Sequence, residues 1–201
     1  MSLITRRFFV LATALGGVAG TASAAAPVYK EFIQGDPKAK VTMVEYASLT
    51  CPHCAEFFHD VWPELKKAYV DTGKIRFVFR DYPLDGLAMA GAVLARCAPE
   101  DRGLKMIEMM FKNQSEWVRA PQPIEPLKQY AQLAGMSPAD VDACLKNEAM
   151  LKTIKDEQNK ATTLYKVQST PTFYIGEEKV DGVRPFAEFA KIIDKQLAKA
   201  K

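Results

Sequence analysis

Two cysteines with two residues between them, Cys51-Pro52-His53-Cys54, stand between an apolar run, Val41 to Tyr46, and a helical pattern that begins at Glu56. That spacing places both thiols at the mouth of a strand-to-helix turn, where unpaired backbone N–H groups and the positive end of the helix dipole favour thiolate over thiol. Cys51, the first of the pair, is then the reactive sulfur. A Cys51 pKa lowered from ~8.5 to ~5.5 stabilises the reduced protein by about 2 kcal/mol at pH 7, or ~45 mV. A disulfide whose reduced form is stabilised tends to be given away. His53 can add an N–H donor or a positive charge near the same sulfur.

The other reactive side chains are scattered. Cys97 and Cys144 are isolated, and no second closely spaced pair accompanies Cys51 and Cys54, which argues against a zinc site. No metal and no cofactor is therefore expected. In an oxidising compartment Cys97 and Cys144 most often pair, and the 47-residue separation would stabilise by at most ~4 kcal/mol; two buried free thiols are the alternative. His59 has no motif around it and reads as a helix-surface residue. Met106, Met109, Met110 and Phe111 either line an adaptable peptide-binding surface or belong to the core, and their helical spacing favours the core.

The elements that must position these residues follow from periodicity. Val41 to Tyr46 suits a strand buried on both faces. Glu56 to Val70 carries Phe57, Phe58, Val61 and Leu65 at helical spacing, with Pro63 kinking rather than ending it and Gly73 closing it. Ile75 to Arg80 alternates as a second strand that stops at Pro83. From Leu84 to Tyr165 strand signals vanish, and helical segments are broken by Pro99, Gly103, the prolines of Ala120 to Pro126, and Gly135. Ser137-Pro138-Ala139-Asp140 starts one of these helices with an oxygen cap, a first-turn proline and an acid. Small residues in Ala88 to Ala98 allow close helix packing. Strands return at Thr172 to Ile175 and Lys179 to Val183, and Pro185 opens a last helix through Ala198. The order is β-α-β, helical insert, β-β-α, an α/β domain interrupted by a second lobe.

Length and charge exclude little by themselves. A chain of 201 residues can bury a real core without depending on its disulfides. Net charge +3 with mixed signs lacks the basic stripe expected of a nucleic-acid binder. Arg6 and Arg7, an apolar stretch from Phe8 through Val18, and Ala22-Ser23-Ala24 read as an export signal cleaved near Ala25; without Arg6 and Arg7 the charge falls to +1. Thr5-Arg6-Arg7-Phe8-Phe9 is also similar to a twin-arginine signal, so export by the Sec or the twin-arginine route is open, with an uncleaved anchor helix as the rival reading.

A strand, Cys-x-x-Cys at a helix start, and Thr170-Pro171-Thr172-Phe173 just before a later strand together resemble the thioredoxin fold. Cys51-Pro52-His53-Cys54, Glu45 six residues before Cys51, the helical insert and the export signal resemble, more narrowly, DsbA-type periplasmic thiol oxidases. The resemblance covers Val41 to Lys199. It implies a thioredoxin fold with an inserted all-helical subdomain: a signal peptide over 1–24, thioredoxin-like parts over 25–83 and 164–201, and the insert over 84–163. It implies that Cys51 is the exposed nucleophile, Cys54 the buried partner, and Pro52 and His53 the residues that set sulfur acidity. Thr170 and Pro171, the latter expected cis, would flank the sulfurs and pair with an extended substrate chain. Glu45 would be a buried carboxyl relaying a proton to or from Cys54, or else a surface carboxylate on an edge strand.

The implied activity is donation of disulfides to unfolded or newly exported cysteine-containing proteins, with reoxidation by a DsbB-like membrane partner. Thr170 complicates this, because a Thr before the proline is frequent among isomerases, so an isomerase or reductase is the alternative. Isomerases of the group usually carry an N-terminal oligomerisation segment, and about fifteen residues between the cleavage point and the first strand favour an oxidase that is a monomer. A peptide-binding chaperone with a merely structural cysteine pair is the third reading.

Overall fold

The computed structural model describes residues 29–99 and 102–200; the expected signal peptide lies outside them. A five-stranded sheet is ordered β1-β3-β2-β4-β5, with β1 Phe32–Gly35, β2 Val41–Ala47, β3 Ile75–Asp81, β4 Thr172–Ile175 and β5 Glu178–Asp181. β2 and β3 run parallel and every other pair is antiparallel. The parallel pair is bridged by helix α1 (52–70), so the β2-to-α1 turn carrying Cys51 lies at the carboxyl end of a central strand. This is the thioredoxin fold with a helical insert.

β1 was not legible from the pattern. It is four residues long, half exposed, and pairs antiparallel with β3 across more than forty residues. β2 is also less uniformly covered than its apolar run suggests, since Thr42 and Val44 are only half-buried.

Helix α1 begins at Pro52 rather than Glu56, because proline suits a first helical turn, where no N–H is needed. It continues through Pro63 by widening to an i→i+5 turn at Phe57–Val61, where Trp62 N–H bonds to the Phe57 carbonyl. The π turn takes up the backbone register that the missing Pro63 N–H would otherwise break. A second wide turn spans Lys66–Val70, and Gly73, at φ 71°, closes the helix with its N–H on the Val70 carbonyl.

Between β3 and β4 the described residues form α2 Gly86–Cys97, α3 Arg102–Lys112, α4 Gln114–Val118, α5 Ile124–Leu133, α6 Pro138–Leu145 and α7 Glu148–Thr163; α8, Phe186–Lys199, follows β5. Ser137 caps α6 in a reciprocal capping box with Asp140. One core joins sheet, α1, α8 and insert: Phe57 packs on Phe173 at 4.7 Å, Phe173 on Phe189 at 5.0 Å, and Phe58 stacks on Phe111 of α3 at 4.4 Å. Met106, Met110 and Phe111 are buried in that core and Met109 is half-buried. Gly91 of α2 lets the insert approach the turn after β2, since a Cβ there would fall 2.7 Å from Leu49 Cδ1, and Gly103 of α3 lets it approach β1, where a Cβ would fall 2.6 Å from Phe32 Cε1. Cys97 and Cys144 are joined by a disulfide with Cα atoms 6.2 Å apart, tying α2 to α6. Among the described residues no helix is long and apolar enough to cross a membrane.

Candidate active site

Cys51 is the residue before the first turn of α1, and Cys54 lies within that turn; both are free thiols. Neither is open to solvent: Cys51 is 5% exposed and Cys54 0%. The exposed nucleophile that the resemblance implies is therefore largely covered. In its thiol form Cys51 Sγ donates to the Thr170 carbonyl at 3.3 Å, at a cis Thr170–Pro171 bond.

The two sulfurs differ sharply in acidity. The Cys51 thiol is lowered to about 5, chiefly by the hydrogen bond from the Cys54 thiol, with further help from Thr170 and the backbone N–H groups of Cys54 and His53, against desolvation that raises it. The Cys54 thiol is pushed well up by burial, then by its hydrogen bond to Cys51 and the nearby charges of Glu45 and Cys51. One sulfur is thus a thiolate at neutral pH while its neighbour keeps the proton.

His53 lies beside the Cys51 sulfur. The imidazole is exposed, and Nδ1 lies 3.1 Å from Glu56 Oε2. Its pKa is raised, first by that Glu56 bond and further by the Cys51 charge. What His53 offers the Cys51 sulfur directly is its backbone N–H. Pro52 is exposed at the first helical position, and His59 is an exposed residue of the same helix.

Glu45, on β2 beneath the turn, is 0% exposed, and neither carboxylate oxygen has a hydrogen-bond partner among the described residues. Burial pushes its pKa well above the usual carboxylate range, and the Cys51 charge adds to this. A buried carboxyl without partners is held in its neutral, proton-carrying form. β2 pairs Glu45 with Phe173 of β4, two residues past Pro171, so one register places Glu45 and the Thr170–Pro171 segment around the same dithiol.

Four further residues shape the site and carried no motif. The Leu84 N–H donates to Ser48 Oγ at 3.2 Å, and Thr50 Oγ1 donates to Asp85 Oδ2 at 2.7 Å, while Asp85 Oδ1 caps α2 by accepting from the Ala88 N–H. Gln114 Nε2 donates to the carbonyls of Leu49 and Cys51, each at 2.8 Å. Only Asp85, an oxygen cap before the small residues of α2, left a trace readable in the sequence.

A sequence profile of a family described as Thioredoxin matches residues 28–195. A Rickettsia felis protein provisionally named protein-disulfide oxidoreductase is 30% identical over 177 residues, 85% of this chain and 63% of that protein. The chain thus spans less than two thirds of that relative. Among solved structures, Wolbachia pipientis alpha-DsbA1 superposes with a TM-score of 0.79 at 28% identity, covering 88% of this chain and 95% of the other. A protein-disulfide isomerase from Novosphingobium aromaticivorans superposes with a TM-score of 0.71 at 25% identity, covering 83% and 97%.

Proposed function

The chain belongs to the thioredoxin family, and on that premise we propose that it is a DsbA-like protein-disulfide oxidoreductase that donates the Cys51–Cys54 disulfide to cysteine-containing proteins outside the cytoplasm. The observation that carries this reading is the asymmetric pair: a Cys51 thiol lowered to about 5 beside a Cys54 thiol raised by burial.

In the oxidised protein a client thiolate attacks Cys51 Sγ. The Cys51–Cys54 bond breaks, its electron pair stays on Cys54, and Cys54 takes a proton, relayed in this reading by the buried Glu45 carboxyl. The mixed disulfide then holds the client at Cys51, with the backbone at Thr170 available to pair with its extended chain. A second client thiolate attacks the client sulfur of that bond. Cys51 leaves as a thiolate, and a thiol of low pKa leaves fast and is stable once released. The client gains one disulfide, and the protein ends with Cys51 as thiolate and Cys54 as thiol. Reoxidation by a DsbB-like membrane partner, which accepts the two electrons, completes the cycle. Pro52 sets the helix start and His53 contributes its N–H to the same sulfur.

The low Cys51 pKa gives the direction. Stabilising the thiolate at pH 7 by about 2.7 kcal/mol raises the reduction potential by ~60 mV, which favours giving the disulfide away. An isomerase is the second reading, supported by Thr170 before Pro171 and by the similarity to the Novosphingobium protein titled an isomerase. The redox state of Cys51 and Cys54 in living cells, read by acid quenching and alkylation, separates the two. An oxidase is held mainly as the disulfide; mainly reduced thiols would sink the oxidase reading.

A further inference from the structure

The turn that carries Cys51 is gripped by the helical insert. Residues 48–51 leave β2 and must present Cys51 so that its sulfur meets the N–H groups opening α1. Within the loop, the Cys51 N–H bonds to the Ser48 carbonyl at 3.1 Å, and the Ala55 N–H bonds to the Cys51 carbonyl at 3.2 Å. Local bonds alone leave the Leu49 carbonyl without a described backbone partner, and the Cys51–Pro52 peptide has no N–H with which to anchor itself.

Gln114 meets both needs. It opens α4 directly after α3, is 9% exposed, and the two N–H bonds of its amide reach the Leu49 and Cys51 carbonyls, both at 2.8 Å. A planar NH2 group donates along two fixed directions, so it sets the spacing of the two carbonyls across Thr50 as well as satisfying them. Its own position is secured in the core, where the Trp117 ring N–H bonds to the Met110 carbonyl at 2.7 Å, locking α4 onto α3. Gly91 brings α2 against Leu49 from the adjacent side.

We propose that Gln114 is a positioning residue for the redox pair: by holding the Leu49 and Cys51 carbonyls it fixes Cys51 Sγ over the N–H groups of His53 and Cys54, so that the insert sets the stability of the thiolate. Gln114 touches neither sulfur and acts through the backbone. The inference rests on the dithiol reading above. The titratable groups that act on Cys51 or respond to its charge are Cys54, Glu45 and His53, and the Gln114 amide bonds instead to the Leu49 and Cys51 carbonyls.

The test is Gln114→Met, which keeps length and volume but removes both donors, with Gln114→Asn as a second variant whose amide is too short to span both carbonyls. The readout is the thiolate titration of Cys51 by ultraviolet absorbance in reduced protein, alongside the equilibrium constant with glutathione and the thermal midpoint. Ile154→Val, in the core of the insert, supplies a destabilised control with the clamp intact. The expected result is an upward move of the Cys51 midpoint by ~0.5–1 in both Gln114 variants, with a ~3–10-fold weaker tendency to oxidise glutathione, and no move in the control. A lower thermal midpoint with the wild-type titration curve in either folded Gln114 variant would overturn the proposal. Wild-type protein whose Cys51 shows no low midpoint would overturn the dithiol reading and this inference with it.

Discussion

Replacing Cys51 by Ala in the reduced protein should cost a stability that depends on pH in a defined direction. The folded-state pKa of Cys51, about 5, lies below the ordinary thiol value of 9.0 that applies in the unfolded chain. A group whose pKa is depressed by folding contributes stability that is complete above its unfolded pKa and is lost as pH falls through its folded pKa. Between the two values the slope is about 1.4 kcal/mol per pH unit, so two pH units above the folded midpoint correspond to about 2.7 kcal/mol at pH 7. The assay is urea unfolding of wild type and Cys51→Ala in excess phosphine at pH 5, 6, 7 and 8. Cys97 and Cys144 are equally reduced in both proteins. The raised pKa of Cys54 acts only above its ordinary value of 9.0, and burial, the main cause of the raised Glu45 pKa, acts in both proteins, the smaller share due to the Cys51 charge being lost in the variant. Above a pH-independent offset for the lost side chain, the stability difference should be smallest at pH 5 and grow by about 1.4 kcal/mol with each unit. A difference that is flat from pH 5 to 8, or that shrinks, would refute the thiolate argument.

Cys54→Ala removes the largest influence lowering the Cys51 pKa, so the titration midpoint should rise above about 5, and client mixed disulfides should accumulate on non-reducing gels. Glu45→Gln cannot ionise, whereas the wild-type carboxyl has a raised pKa and loses stability above the ordinary value of 4.5; the variant should gain on wild type with rising pH by up to about 1.4 kcal/mol per unit, measured by urea unfolding. Asp85→Ala loses the α2 cap and the Thr50 bond and should cost about 1–2 kcal/mol in the same assay. Replacing Cys97 and Cys144 together by Ala opens a 47-residue separation and should cost up to about 4 kcal/mol in chemical denaturation.

The sulfur pair, the two parallel strands and the last helix were legible because each rests on local chemistry: apolar alternation, a proline that suits a helix start, a glycine that closes one. β1 was not, since a strand with Ile33 exposed and Gly35 at its end gains its stability from β3, far along the chain. The kink that Pro63 predicts is taken up by a π turn, which depends on backbone register rather than residue type. The proton-carrying form of Glu45 follows from complete burial, which the spacing to Cys51 could only suggest. Gln114 carried no signal at all: a glutamine in a helical block becomes part of the redox turn only when α4 folds against Leu49 and Cys51.

The most direct test of the central claim is disulfide transfer itself. Oxidised protein mixed with an equimolar reduced peptide containing two cysteines, quenched in acid and alkylated, can be read by mass. One disulfide should move to each peptide while Cys51 and Cys54 alone become alkylatable, and Cys51→Ala should transfer none. A peptide that stays reduced while Cys51 and Cys54 remain bonded would contradict the account.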